Sequence, residues 1–100
     1  MRVARVDANQ AAIVGALRQA GCRVQHLHTI GRGVPDLLVC YRGLLILVEV
    51  KDGGKAASKQ KLTPDEQRWH SEWQDAPVYI LARVEDIPAM LARVAQDWRL

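Results

Sequence analysis

The segment Gly33-Val34-Pro35-Asp36, followed by Glu49-Val50-Lys51, decides the fold. Two apolar runs, Leu37–Tyr41 and Leu44–Val48, lie between these segments and are typical of β-strands. The turn signal between them is Arg42-Gly43, and a two-residue turn places Asp36 opposite Glu49 in an antiparallel hairpin. A three-residue loop with a bulge would instead shift the pairing by about one residue.

Asp36, Glu49 and Lys51 form a charged group at one end of this otherwise apolar hairpin. Directly opposed residues have Cβ atoms about 5 Å apart, so the two carboxylates repel each other unless a cation lies between them. Lys51 falls on the same face as Glu49, because side chains alternate along a strand. Taken singly, Asp36 is typical of a turn, and Glu49 and Lys51 are typical of a solvated strand end. Together they indicate a site for a divalent metal and a phosphate.

The composition indicates one globular domain, residues 1–100. The chain is 49% hydrophobic and 25% charged over its 100 residues. No apolar run reaches the roughly 18 residues that a membrane span needs, and the first residues lack the apolar core of a signal peptide. Cys22 and Cys40 do not make a disulfide framework. We therefore expect a cytoplasmic protein with no membrane contact.

The excess positive charge lies in residues 51–61. The formal net charge of the chain is +3 at pH 7 with a pI near 9.2, and this segment carries four lysines against one aspartate. A lysine run alone is typical of a solvated loop. Beside Glu49 and Lys51, it favours a polyanionic partner such as DNA. The candidate DNA-binding residues are Arg32, Lys55, Lys59 and Lys61.

Periodicity and capping signals predict an α-β-β-β-α-β order with a last helix. The predicted elements are a helix from Asp7 to Gly21, a strand over 23–28, the hairpin, a helix from Thr63 to before Pro77, a strand over 78–81 and a helix over 85–95. The second helix has a strong start, with Thr63 as N-cap and Glu66 completing a capping box. Both hairpin strands are apolar on both faces, which predicts helices on each face of the sheet.

Several blocks of this sequence resemble one family. Pro35-Asp36 followed by Glu49-Val50-Lys51 is similar to the PD-(D/E)XK nuclease signature, and the element order resembles the core of that superfamily. The flanking blocks resemble its VRR-NUC family of virus-type replication–repair nucleases, from about Asp7 to Ala82. These blocks are Asp7-Ala8-Asn9, Gly33 to Val39, Glu49 to Gly53, Ser58, Leu62-Thr63-Pro64 and Gln67. Small stand-alone members of this kind are phage or prophage proteins, which implies a bacterial host cell.

The resemblance implies a restriction-endonuclease-like α/β fold, with a mixed sheet flanked by helices, and a metal-dependent endodeoxyribonuclease. Asp36 and Glu49 match the metal-binding carboxylates, and the backbone carbonyl of Val50 is a further implied ligand. Lys51 matches the lysine that positions the attacking water or offsets phosphate charge, and Gln67 matches a glutamine that faces the site. Mg²⁺ or Mn²⁺ is the implied cofactor. Stand-alone members resemble structure-specific nucleases that act as homodimers on four-way (Holliday) junctions, so the implied partners are branched or duplex DNA and a second copy.

Gln10 departs from the family pattern, which usually has a glutamate at this place on the first helix. It shares a helix face with Ile13, Val14 and Leu17 and should point toward the sheet. A neutral amide binds Mg²⁺ more weakly than a carboxylate but can reach the metal through a water. Alternatively, Gln10 only completes a capping box with Asp7.

Three functions are therefore open. The first is a junction-resolving endonuclease. The second is a DNA-structure-binding module that has weak or lost chemistry because of Gln10. The third is a restriction-type endonuclease subunit, which would need sequence-reading elements that no extra segment here provides.

A few other residues are weighed as functional or structural. His70 is interpreted as a surface residue, although it lies three positions from Gln67 and could face the same site. His26 and His28 share a strand face with cysteines nearby, but this spacing fits no common structural zinc pattern. Trp69 and Trp73 should pack inward together, as core or dimer contacts. Trp98 is a candidate interface residue for the same reason.

Overall fold

The computed structural model describes residues 8–100, apart from the side chains of residues 58 and 59. Its elements in chain order are α1 (Ala8–Gln19), β1 (Arg23–His26), β2 (Leu37–Tyr41), β3 (Leu44–Val50), α2 (Ala57–Gln60), α3 (Pro64–Glu72), β4 (Val78–Leu81), a 3-10 turn (Val84–Asp86) and α4 (Ile87–Asp97). The sheet has the order β1-β2-β3-β4. Its first three strands are antiparallel, and β4 runs parallel to β3. This is the α/β fold with a mixed sheet that the sequence predicted, extended by the short α2.

The β2–β3 hairpin has the predicted two-residue turn. Its pairing runs from Leu37 opposite Val48 to Tyr41 opposite Leu44. Arg42 and Gly43 both adopt positive φ, at 51° and 86°, which is the conformation that a two-residue hairpin turn with matching twist requires. The alternative with a bulge and a shifted register is therefore wrong. One step beyond Leu37 and Val48, the same register brings Asp36 opposite Glu49.

One face of the sheet, called the first face here, packs against the hydrophobic core. On β2 and β3 it presents Leu37, Val39, Ile46 and Val48, all fully buried. α1 and α4 pack on this face, and they contribute apolar stripes at helical spacing. The buried residues of these helices are Ile13, Val14 and Leu17 on α1, and Ile87, Met90, Leu91 and Val94 on α4.

Helices lie on both faces of the sheet, as the sequence predicted, but on the second face they cover only one end. Alternation along the strands puts Leu45, Leu47 and Glu49 on this face. Leu45 is more than half exposed, whereas Glu49 is buried. α3 covers the Glu49 end, but it contains no buried residue. A helix of this kind shields a charged site without closing a second core.

The predicted inward packing of Trp69 and Trp73 is half right. Their rings stack with centroids 5.1 Å apart and an interplanar angle of 5°, as four-residue spacing on a helix allows. However, Trp73 is 52% exposed. The pair stabilises the surface of α3 and leaves an aromatic ring open to solvent.

Some predicted boundaries shift by one or two residues. β1 ends at His26 and not at His28, because the chain turns after Leu27, whose carbonyl accepts the amide of Ile30 at 2.9 Å. α1 ends at Gln19, before Gly21 at φ 93°. The proposed cap Asp7 lies outside the described residues. Both cysteines are free, as predicted. Within residues 8–100, no helix has the length and apolar character needed to cross a membrane.

Candidate functional site

Asp36 and Glu49 meet at the end of the hairpin, on the second face of the sheet. Glu49 is 2% exposed. Burial, then the hydrogen bond and the negative charge of Asp36, and then Glu66, raise the pKa of Glu49 to about 10. In the metal-free protein at neutral pH this carboxyl therefore keeps its proton. Its Oε1 atom is buried and has no hydrogen-bond partner in the described part of the chain.

The Asp36 carboxylate is fixed by the opposite strand. Its Oδ2 atom accepts the backbone N–H of Val50 at 2.8 Å. Because Val50 lies between Glu49 and Lys51, this bond holds the peptide group that separates the two side chains. The structure therefore brings Asp36, Glu49 and Lys51 together at one end of the hairpin, as the sequence predicted.

Lys51 forms an ion pair that the sequence patterns did not predict. Its Nζ lies 2.7 Å from Oε1 of Glu66, and the two side chains are only 12% and 16% exposed. The same carboxylate accepts the Thr63 amide at 2.8 Å, which completes the capping box of α3. Burial alone would raise the pKa of Glu66, but the bonds from Lys51 and Thr63 outweigh it and lower that pKa. Glu66 is therefore a carboxylate of the site as well as a helix cap.

The glycine-rich loop before Asp36 allows the first turn of α3 to lie against it. Gly33 has φ 81°, and a Cβ atom there would overlap the backbone carbonyl of Asp65. Only glycine allows such a close approach. Pro35, the next residue but one, is fully buried. The first turn of α3 consequently lies directly against the segment that carries Asp36.

Asn9 ties the start of α1 to the same end of the sheet. Its side-chain amide donates to the carbonyl of Lys51 at 2.8 Å and to the carbonyl of Ala82 at 3.2 Å. In the sequence, this residue stood out only as part of a family block. The structure gives it a role, since it holds the main chain of the site lysine against the residue that follows β4.

Gln10 is buried on α1, as its helix face predicted. Its Nε2 lies 3.4 Å from Nδ1 of His26, whose ring meets that of His28 edge-to-face at 5.3 Å. Within the described residues, no group of three or more His, Cys, Asp or Glu side chains is arranged to hold a metal. His26 and His28 are therefore not part of a zinc site among the described residues. The role of Gln10 as an indirect metal ligand stays a prediction.

His70 is the residue whose interpretation changes. It is not a plain surface residue. It is half-buried, and its Nε2 has no hydrogen-bond partner among the described residues. Burial lowers its pKa, with opposing effects from the charges of Glu66 and Lys51, which lie close to it. The ring therefore stands beside the Lys51–Glu66 pair.

Gln67 points elsewhere in this structure. Its side chain is exposed and donates to the carbonyl of Leu62 at 3.1 Å. The family role of Gln67 at the site stays a prediction, and the structure places it on α3 next to Glu66.

The lysine segment, residues 51–61, begins at Lys51 and follows β3. Gln60 donates to the carbonyl of Lys55 at 2.7 Å, and Arg83 donates to the carbonyl of Gly53. These bonds connect the segment to itself and to the residues after β4. The cationic side chains of Arg32, Lys55 and Lys61 are exposed, whereas that of Lys59 lies outside the described part. Exposed cationic side chains thus lie in the loop before Asp36 and in the segment after Glu49.

Comparison with known proteins now identifies the fold. A solved structure described as a VRR_NUC domain matches with a TM-score of 0.64 and 28% sequence identity, over 83% of this chain and 89% of that chain. This match supports membership of the VRR-NUC family. No protein-family model and no curated protein matches it. The similarity indicates a nuclease-type domain.

Proposed function

We propose that this VRR-NUC domain is a metal-dependent, structure-specific endonuclease that hydrolyses phosphodiester bonds in DNA. The observation that carries the proposal is the buried Glu49 carboxyl, which faces Asp36 and has one oxygen without a partner among the described residues. Burial of an acid beside a second acid is unfavourable unless the site serves a cation or a proton transfer.

The residues present fit Mg²⁺ or Mn²⁺. Asp36 and Glu49 offer the hard oxygen atoms that these ions prefer. The carbonyl of Val50 and, through a water, the amide of Gln10 would complete the ligand set. When bound, such a metal lowers the pKa of a coordinated water and stabilises the charge that develops on the phosphate.

The chain's own groups orient the substrate. The Lys51 ammonium would hold either the attacking water or a phosphate oxygen. Gln67 would contribute an amide to the same site from α3. Arg32, Lys55, Lys59 and Lys61 would bind the flanking phosphates, and their contribution should weaken steeply with salt.

Resolution of a four-way junction is the reaction that we favour, and it requires two cuts. One copy of this chain offers one such site, so a two-fold homodimer would supply the second. Three apolar side chains on the second-face side of the molecule support a dimer surface, because Leu45, Trp73 and Ile80 are each more than half exposed. Trp98, which donates its indole N–H to Tyr79, is the other candidate.

A DNA-structure-binding module without efficient chemistry is the second candidate function. It is favoured by one observation, the buried amide of Gln10 at the place where the family usually carries a carboxylate. The basic segment would then bind junctions while the metal site stays weak.

Cleavage of a labelled DNA panel tests the proposal. The panel contains a four-way junction, a flap, a single strand and a plain duplex, each with Mg²⁺ and with Mn²⁺, and Lys51→Ala is the control. We expect paired, symmetric cuts in the junction that disappear in the variant. No cleavage with tight junction binding would favour the binding module, and cleavage by Lys51→Ala at the wild-type rate would refute the mechanism.

A further inference from the structure

We propose that Glu66 is a positioning residue for Lys51, which makes the first turn of α3 part of the nuclease site. This inference rests on the proposed function, because it assigns the alignment of the lysine that would act in hydrolysis. It starts from the 2.7 Å ion pair between the Lys51 ammonium and Glu66.

The first step is that Lys51 needs an anion. Its side chain is almost buried, and a buried ammonium without a partner is strongly unfavourable. The two nearest acids on the sheet, Asp36 and Glu49, are the proposed metal ligands. If the ammonium settled on them, it would occupy their oxygens. Glu66 gives it a partner outside the proposed ligand pair.

The second step is that Glu66 is itself held rigidly. Oε1 accepts both the Lys51 ammonium and the Thr63 amide, while the Glu66 amide donates back to the Thr63 hydroxyl at 3.2 Å. The helix start is also packed against Gly33, where no side chain would fit. A carboxylate with so little freedom can fix the ammonium in one place, whereas a mobile surface acid could not.

The third step is that Glu66 touches the site on its other side. Its carboxylate binds Lys51 and lies close enough to Glu49 to help raise the pKa of that carboxyl. His70, one turn further along α3, lies beside the same pair. α3 therefore spans from the metal-binding acid to the lysine, and Glu66 sets the spacing between them.

Three variants separate this role from a structural one. Glu66→Gln keeps an oxygen that can cap the helix but removes the charge. Thr63→Ala removes the cap but leaves the charge. Asp65→Asn removes the same charge from the same helix turn, at an exposed residue paired only with Arg68 in the described structure.

The readouts are the single-turnover cleavage rate, the DNA affinity with Ca²⁺ in place of Mg²⁺, and the NMR signal of the Lys51 ammonium in the metal-free protein. For Glu66→Gln we expect the rate to fall about tenfold to a hundredfold, as for misplaced catalytic groups. The DNA affinity should stay within about twofold, and the ammonium signal should be lost through fast exchange with water. Asp65→Asn should match wild type in all three readouts, and Thr63→Ala should keep the ammonium signal.

Either a wild-type cleavage rate or a retained ammonium signal in Glu66→Gln would overturn the inference. A wild-type protein that cuts no substrate would instead refute the proposed function. The ammonium signal would still report whether Glu66 holds Lys51, so the two failures are distinguishable.

Discussion

The backbone N–H of Val50 donates a 2.8 Å hydrogen bond to Oδ2 of Asp36. The bond crosses the hairpin and holds the Asp36 carboxylate beside Glu49, which is buried and has a pKa raised to about 10. The buried acid of this pair thus keeps its proton in the metal-free protein at neutral pH. Burying this acid has a cost in folding stability.

That cost depends on pH. The unfolded chain loses the Glu49 proton near the ordinary glutamate pKa of 4.5, whereas the folded protein keeps it up to about 10. Between these values the folded state binds more protons, so the free energy of unfolding falls as the pH rises. The slope has an upper limit of about 1.4 kcal/mol per pH unit.

Glu49→Gln should remove this penalty. In EDTA at pH 8, we expect the variant to be more stable than wild type in urea unfolding followed by tryptophan fluorescence. The advantage should shrink toward pH 4, where the unfolded chain is also protonated. Glu72→Gln, the same change at an exposed residue of α3, is the control. A Glu49→Gln variant that is less stable than wild type at pH 8 would contradict the burial of an uncompensated acid.

The hairpin could be predicted because the residues that determine its turn and register lie close together in the sequence. Arg42-Gly43 between two apolar runs sets a two-residue turn, and that turn sets the register up to Asp36 and Glu49. The capping box of α3 was predictable for the same reason, since Thr63 and Glu66 are three residues apart. Short-range spacing determines both features.

The contacts that complete the site could not be predicted, because they join distant parts of the chain. Lys51 meets Glu66 only because the segment after β3 returns α3 to the sheet, and Asn9 reaches a carbonyl 73 positions away. The open second face was also unpredictable. The strands are apolar on both faces, but coverage depends on where the nine-residue α3 lies. The one signal available was that a lysine at a buried strand end needs an anion.

Gly33→Ala tests the contact between the loop and α3. A Cβ at Gly33 would overlap the backbone of Asp65, and φ is 81°, so the variant combines a clash with backbone strain. Gly31→Ala is the matched control, because Gly31 has φ 75° but no atom within 4 Å of the added Cβ. Thermal unfolding should show a loss of about 1 kcal/mol for Gly31→Ala from strain alone, and a clearly larger loss for Gly33→Ala. Equal losses would mean that α3 can move away from the loop without cost.

Gln10→Glu tests whether the amide on α1 limits the metal site. A carboxylate binds Mg²⁺ more strongly than an amide, so we expect higher Mn²⁺ affinity in calorimetry and a faster cleavage rate with Mg²⁺. Because Gln10 is buried, the metal-free variant should also be less stable, since it adds an acid to a buried position. Gln19→Glu, the same change at an exposed residue of α1, is the control. Unchanged Mn²⁺ affinity in Gln10→Glu would place this side chain outside the ligand set.

The salt dependence of DNA binding tests the basic segment. Each phosphate contact contributes about 0.9 to the slope of log K against log salt on duplex DNA. The double variant Lys55→Ala/Lys61→Ala should therefore lower the slope by about 2, with little change in which DNA structure is preferred. Arg93→Ala is the control, because this exposed arginine lies on α4, which packs on the opposite face of the sheet. The measurement is fluorescence anisotropy of a labelled junction with Ca²⁺ at several salt concentrations. An equal fall in slope for Arg93→Ala would show that the effect is not specific to the basic segment and would contradict its assignment as the DNA-binding surface.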